Sequence, residues 1–304
     1  MLANNSITYN SIEQVKMLYP NIEHRRKKLN RKVVIVDYDD TILPSTFVDR
    51  WQIENSKDLP LHFQNMLEEL SRATEKFLLE ASKYGEVIII TNSDEGWVQF
   101  SAERYCPSLL PVIAKYPVVS ARTRYEKFYP YQPLCWKAAA FAHEVNEIYD
   151  TLDVGDDATS CASMEGTDVS STTSSLSESS MMDEDYCIER DQDQEQEPRQ
   201  IISFGDSNEE RMAVSIVSGQ LDAVPKSIKF MSSPSLLQII GQLHLLTNHM
   251  QFVCESTKSL DMHITKKQAN QYAETYLREE RVHYDDTIIP SYVPRTRKGL
   301  CSRR

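Results

Sequence analysis

The amino-acid sequence predicts an α/β fold with a central parallel sheet flanked by helices. Three short runs of apolar residues are typical of strands buried on both faces, and they lie at 33–36, 86–90 and 201–204. Helical patterns separate these runs. Because buried strands that alternate with helices form parallel sheets, we expect the three strands to lie in one sheet, in a Rossmann-like arrangement.

The other elements are predicted from the spacing of apolar residues and from the residues at their ends. After the first strand, apolar side chains at three-and-four spacing predict a helix over about 62–84, which Gly85 is well placed to end. Ser93 or Asp94 is a candidate cap for the next helix. The same reasoning predicts helices over 95–105, 135–149, 208–218, 234–253 and 266–281, short strands at 118–119 and 227–231, and a loop rich in Tyr and Pro over 122–133.

The composition changes sharply along the chain of 304 residues. Residues 151–200 hold 14 acidic residues against two arginines, which accounts for the whole net charge of -12. Few large apolar residues and no periodicity predict that this segment is a disordered insert. We therefore expect a polar segment at 1–31, a folded domain at 32–254 interrupted by the acidic insert, and a charged helix with a basic tail at 255–304.

The charge distribution and the cysteines limit the partners and the compartment. Outside the insert the chain is neutral, so no nucleic-acid partner is expected. Ser175 and Ser180 in the insert each precede an acidic residue by three positions, a spacing that suits an acid-directed kinase. No apolar run approaches the length of a transmembrane helix, so no membrane partner is expected. Six scattered cysteines argue against a zinc site or a disulfide framework and favour a cytoplasmic location, with the nucleus as the alternative.

Polar side chains follow three of the predicted strands where each strand ends. Because the carboxyl ends of parallel strands share one edge of a sheet, these side chains are expected to converge in one crevice with Lys137. Carboxylates and hydroxyls suit Mg²⁺, and the absence of His and Cys argues against zinc. This set allows phosphoryl transfer through a carboxylate nucleophile, with a second carboxyl as proton donor. The residues are Asp37 and Asp39, then Thr91, then Asp206 with Glu209 or Glu210.

The ordered set of motifs resembles the haloacid dehalogenase-like (HAD) superfamily of phosphatases. The resemblance covers about residues 32–231, apart from the insert, and makes 32–254 a catalytic domain. It rests on four motifs. The first is an apolar strand followed by Asp37-Tyr38-Asp39-Asp40-Thr41, and the second is an apolar strand that ends at Thr91. The third is Lys137, and the fourth is an apolar strand followed by Gly205-Asp206-Ser207-Asn208-Glu209-Glu210.

The resemblance implies a role for each matching residue. Asp37 would be the nucleophile and form an aspartyl-phosphate. Asp39 would protonate the leaving group and then activate water. Thr91, Asn92 and Lys137 would bind the phosphoryl group.

The metal site implied by the resemblance contains one departure from the family pattern. Asp206 would hold Mg²⁺ together with Asp37 and the backbone carbonyl of Asp39. Glu210 stands at the last metal-site position, where the family has Asp, and its side chain is one methylene longer.

Several of these residues also have other interpretations. Lys115 and Lys127 compete with Lys137 for the phosphate role, and Lys137 is also explained as a lysine near a helix start that extends to solvent. Thr91 is equally well explained as a strand-end cap. Asp206 is a candidate N-cap of the next helix.

The gaps between the motifs are too short for a separate cap domain. We therefore expect an uncapped phosphatase whose open site accepts a phosphorylated protein or another bulky phosphate ester. The alternative is a non-catalytic interaction protein on the same fold, with the acidic insert as its binding or regulatory segment.

Residues 284–291 (YDDTIIPS) nearly repeat residues 38–45 (YDDTILPS). The second copy has His283 in place of Asp37 and no apolar strand before it, so it is not a second nucleophile site. Coincidence is the simpler interpretation, and a tail element that mimics part of the site is the alternative.

Overall fold

A computed structural model of the protein describes residues 31–157 and 197–280, with the backbone alone over 151–157. The predictions for residues 1–30, for most of the acidic insert and for the repeat at 284–291 lie outside these ranges.

The strands form one six-stranded parallel sheet. They are β1 Lys32–Val36, β2 Glu86–Thr91, β3 Val118–Ser120, β4 Gln200–Gly205, β5 Val224–Lys229 and β6 Leu260–His263. Their order across the sheet is β3-β2-β1-β4-β5-β6. The predicted α/β fold with a Rossmann-like parallel sheet flanked by helices is therefore confirmed.

Helices cover both faces of this sheet. They are α1 Ser45–Arg50, α2 Leu61–Ala81, α3 Trp97–Tyr105, α4 Leu110–Ile113, α5 Ala121–Tyr125, α6 Pro133–Asp157, α7 Asn208–Gln220, α8 Leu236–Glu255 and α9 Lys266–Glu279, with single 3₁₀ turns at Ser56–Asp58 and Pro107–Leu109. None of the helices in the described ranges is long and apolar enough to cross a membrane.

The apolar run of β1 is buried because successive side chains enter two different cores. Val34 and Val36 belong to the core that contains residues of α2 and α8. Val33 and Ile35 belong to the core formed with α6 and α7. A strand covered on both faces needs no polar alternation, which explains its continuous apolar sequence.

The connections place the ends of β1 and β4 at a switch point in the sheet. From β1 the chain moves outward through β2 and β3, and it then returns to the other side of β1 as β4. The crevice outside the carboxyl ends of two such strands is the usual ligand position in open α/β sheets.

Gly85 does not end a helix, which corrects the prediction. The helix α2 already ends at Ala81, with Ser82 as its C-cap. Gly85 instead lies against β1, where an added Cβ would be 2.2 Å from the carbonyl oxygen of Lys32. The glycine is needed for this close approach of two backbones.

Other parts of the chain also differ from the predictions, among them β5, which spans Val224–Lys229 where 227–231 was predicted. The predicted loop at 122–133 begins with α5, whose N-cap Ser120 accepts a hydrogen bond from the N–H of Thr123. The helix α6 continues to Asp157, within the range predicted for the acidic insert (151–200). The strand β6 was not predicted; it pairs with β5, so the segment predicted at 255–304 begins inside the folded domain.

The packing of α8 against α9 leads to a stability prediction. A Cβ at Gly241 would lie 2.0 Å from the carbonyl oxygen of Ala269 and 2.8 Å from the backbone nitrogen of Ala273. We expect Gly241→Ala to lower the free energy of unfolding by about 1–3 kcal/mol because α9 must move away. The change is measured by urea unfolding.

A matched control comes from Gly219 in α7, where an added Cβ meets nothing within 4 Å. We expect Gly219→Ala to raise the free energy of unfolding by about 0.5–1 kcal/mol through helix propensity. Equal effects of the two substitutions would contradict the close α8–α9 contact.

Candidate functional site

The candidate site lies at the carboxyl edge of the three central strands. Asp37 follows β1, and its backbone N–H donates to the carbonyl oxygen of Phe204 in β4 at 2.8 Å. Thr91 is the last residue of β2, and Asp206 follows β4. The predicted carboxylates therefore emerge at neighbouring strand ends, at the switch point of the sheet.

Lys137 lies at the centre of this site. Its Nζ is 2.5 Å from Asp37 Oδ1, 2.8 Å from Glu210 Oε1 and 2.7 Å from the carbonyl oxygen of Ile90. The lysine is only 1% exposed. It shares the sheet-facing side of α6 with the buried Phe141, four residues further on. Lys137 therefore does not extend to solvent.

The two rival lysines lie elsewhere on the surface. Lys115 pairs with Glu75 at 2.8 Å, and both side chains are exposed. The Nζ of Lys127 lies 4.8 Å from the centre of the Phe128 ring. Of the three candidates, Lys137 is the one that the fold brings to Asp37.

Burial and charge act in opposite directions on the ionisable groups around Lys137. Burial raises the pKa of Asp37 well above its usual value, and Lys137 offsets this only in part. Burial also opposes ionisation of Glu210, but the ammonium of Lys137 and the hydrogen bonds to the carboxylate lower the pKa of Glu210. Burial by itself lowers the pKa of Lys137, but Asp37 and Glu210 raise it above its usual value. Asp37 and Glu210 therefore both favour the charged form of Lys137.

Glu210 is held by the start of α7. Its Oε2 accepts hydrogen bonds from the backbone N–H of Ser207 at 3.1 Å and from the Ser207 hydroxyl. Gly205 allows this arrangement, because a Cβ there would lie 2.7 Å from Cγ of Glu210. The sequence predicted a metal role for Glu210, but the structure engages its two oxygens with Lys137 and Ser207. The glutamate side chain, one methylene longer than aspartate, thus pairs with Lys137.

Asp206 is not the N-cap of α7, because Ser207 occupies that position with a capping box. Lys229 and Ser232 donate to the backbone carbonyl of Asp206 at 2.7 and 2.9 Å. Burial, with Glu210 next in size, raises the pKa of the Asp206 carboxyl to about 7. A buried acid of this kind is stabilised in its charged form by a nearby cation.

Asp39 is held by three hydrogen-bond donors. The indole Nε1–H of Trp97 donates to Oδ1 at 2.9 Å. The hydroxyls of Thr91 and Ser93 donate to Oδ2 at 3.1 and 2.8 Å. In this structure the hydroxyl of Thr91, a predicted phosphate ligand, therefore positions Asp39.

Sequence reasoning missed Ser93 and Trp97. A signal for Ser93 existed, since residues two apart on an extended chain point the same way and Thr91 was already a candidate. No comparable signal existed for Trp97. Its position depends on the start of α3, where the N-cap is Gly96 with a φ of 81° instead of the predicted Ser93 or Asp94.

Asn92, the remaining predicted phosphate ligand, contacts the start of α6. Its Nδ2 lies 3.4 Å from the carbonyl oxygen of Pro133, and its buried Oδ1 has no hydrogen-bond partner among the described residues. The structure therefore places its side-chain amide between the end of β2 and α6.

The donor chemistry of the site fits a hard divalent cation. Within 31–157 and 197–280, no group of three His, Cys, Asp or Glu side chains is arranged to hold a metal ion. The set implied by the resemblance needs two carboxylates, those of Asp37 and Asp206, and the backbone carbonyl of Asp39. All three donors are oxygen, and Mg²⁺ commonly binds through one or two carboxylates while keeping several waters. The site also contains more carboxyl groups than buried lysines, which favours the binding of a cation.

Comparisons of the chain with protein-family models, with curated proteins and with solved structures found no match. The class of the protein, an α/β domain with a Rossmann-like parallel sheet, is therefore defined by its own structure.

Proposed function

We propose that the protein is a HAD-like, Mg²⁺-dependent phosphatase that acts through an aspartyl-phosphate on Asp37. The observation that carries this proposal is the buried cluster of Lys137 between Asp37 and Glu210, at 2.5 and 2.8 Å, with Asp206 on the neighbouring strand. A buried lysine beside a carboxyl group at a switch point suits the binding and transfer of a phosphoryl group.

In the first step a carboxylate oxygen of Asp37 attacks the phosphorus atom, and the bond to the leaving oxygen breaks. Asp39 donates a proton to that oxygen, so the substrate leaves as a neutral alcohol. Asp39 then takes a proton from water, which attacks the aspartyl-phosphate and releases inorganic phosphate and Asp37. Trp97, Thr91 and Ser93 keep Asp39 in position for both proton transfers.

Lys137 has two tasks in this proposal. It orients Asp37 through the 2.5 Å contact, and its charge attracts the phosphoryl oxygens. Glu210 holds the lysine from the other side. Asp37, Asp206 and the carbonyl of Asp39 would hold Mg²⁺, which supplies positive charge to the transferring phosphoryl group when bound.

The substrate we propose is a phosphorylated protein or another bulky phosphate ester. In the described ranges, buried residues of α1 to α4 belong to the core around the sheet, as in Val48, Leu70, Ala102 and Ile113. These helices therefore support the sheet and do not form a cap over the site. We also propose that the protein is cytoplasmic and that a kinase phosphorylates the acidic insert.

The first experiment is hydrolysis of 4-nitrophenyl phosphate by the full chain. We expect turnover in the presence of Mg²⁺, a loss of at least about tenfold on chelation with EDTA, and recovery when Mg²⁺ is restored. Turnover that is indifferent to EDTA would contradict the metal assignment. No turnover under any condition would favour the non-catalytic alternative, an interaction protein on the same fold.

A further inference from the structure

A groove of about 660 Å³ lies beside the candidate site. It is lined by α3, α4, the end of β3 and α5, and we call it the side groove. Its volume is in the range of pockets that bind ligands. Apolar side chains make up much of its lining, among them Val98, Leu110, Pro111, Ile113 and Val118.

The side groove is continuous with the residues that hold Asp39. Thr91 lines the groove and also donates its hydroxyl to Asp39. The groove wall continues through Asp94 and Gly96 to the start of α3, where Trp97 donates to the other oxygen of Asp39. One end of the groove therefore lies next to the proposed proton donor.

The groove also runs along an edge of the sheet. β3 pairs with β2, and no other described strand lies on its outer side. Val118 in this strand is 42% exposed. Extended peptides bind such edges through backbone hydrogen bonds while alternate side chains enter an adjacent pocket. The polar side chains of Gln99 and Arg124 also line the groove, where they donate to Glu103 and Glu144.

We infer that the side groove binds the apolar residues that flank the phosphorylated residue of a phosphopeptide substrate. This inference rests on the proposed function and specifies the substrate class of the same site.

The distance from the nucleophile favours a peptide over a small ester. Val118, in the far wall of the groove, lies in β3, which is two strands away from β1, and neighbouring strands are about 4.8 Å apart, so this wall lies roughly 10 Å from the end of β1. A phenyl ring attached to the phosphate does not reach that far. An extended peptide advances about 3.3 Å per residue, so residues about three positions from the phosphorylated one reach the groove.

The test compares two short phosphoserine peptides, one with leucines about three positions before and after the phosphoserine and one with asparagines at those positions, and 4-nitrophenyl phosphate as the small ester. For the unmodified chain we expect kcat/KM to be about tenfold higher for the leucine peptide than for the asparagine peptide, the discrimination that one apolar side chain in a pocket typically gives.

Val118→Arg places a charge in the groove, and Ile216→Arg is its matched control. Ile216 lies in α7, is 45% exposed and is not among the groove residues. We expect Val118→Arg to reduce kcat/KM for the leucine peptide about tenfold more than for 4-nitrophenyl phosphate, and Ile216→Arg to retain the peptide preference. Ala114→Arg, at the end of α4 and also in the groove lining, gives the same test if Val118→Arg fails to fold.

The possible failures are distinguishable. Hydrolysis of 4-nitrophenyl phosphate without a preference for the leucine peptide would overturn the groove inference and leave the phosphatase proposal standing. Equal losses in Val118→Arg and Ile216→Arg would also overturn it. No hydrolysis of any of the three substrates would overturn the proposed function, and the groove inference with it.

Discussion

Asp37→Asn is expected to abolish phosphate-ester hydrolysis while the protein remains folded. An amide cannot attack phosphorus as a carboxylate does, so we expect kcat/KM for 4-nitrophenyl phosphate to fall by about a thousandfold or more. The change in the free energy of unfolding should stay within about 1 kcal/mol. Burial already raises the pKa of Asp37, so a neutral side chain of the same shape is well tolerated, and Glu210 still pairs with Lys137.

The control for this substitution is Asp58→Asn, at an exposed position in a 3₁₀ turn. It should retain the activity of the unmodified protein. Steady-state kinetics and urea unfolding on the same preparations separate lost chemistry from lost structure. Full activity in Asp37→Asn would exclude Asp37 as the nucleophile.

Lys137→Met is expected to have the largest effect on stability. It leaves the charged carboxylate of Glu210 buried without its cation, and such a loss costs about 3–5 kcal/mol. Activity should also be lost, because the phosphoryl group loses its cation. The matched control is Lys115→Met, which breaks an exposed pair with Glu75 and should cost about 1 kcal/mol or less.

A double-mutant cycle tests the cause of that instability. If the unpaired charge on Glu210 is responsible, Glu210→Gln should restore a substantial part of the stability lost in Lys137→Met. The free energy of unfolding is measured by urea titration for both single variants and the double variant. Strictly additive losses would mean that Lys137 and Glu210 do not interact in solution.

The fold was predictable wherever burial leaves a simple pattern. β1, β2 and β4 are covered on both faces, so their apolar runs mark them directly. β6 escaped prediction because it is an edge strand of four residues with alternating partial exposure. Gly85 was misread for a related reason. In the sequence, a glycine that ends a helix cannot be distinguished from a glycine that packs against a neighbouring strand, because the partner strand is not known.

The candidate site was predictable where side chains follow strand ends. Asp37 and Asp206 follow neighbouring strands at the same edge of the sheet, which the sequence pattern already implies. The choice of Lys137 over Lys127 required the register of α6 against the sheet. The hydrogen bond from Trp97 and the use of Glu210 as the partner of Lys137 depend on the packing of α3 and α7. No local pattern encodes those contacts.

Detection of the covalent intermediate would test directly whether Asp37 is the nucleophile. The protein is mixed with a phosphate ester, quenched in acid during turnover and treated with borohydride, which reduces an aspartyl-phosphate to homoserine. We expect homoserine at position 37 in the peptides identified by mass spectrometry. Turnover with unmodified Asp37, or reduction at a different carboxylate, would contradict this assignment.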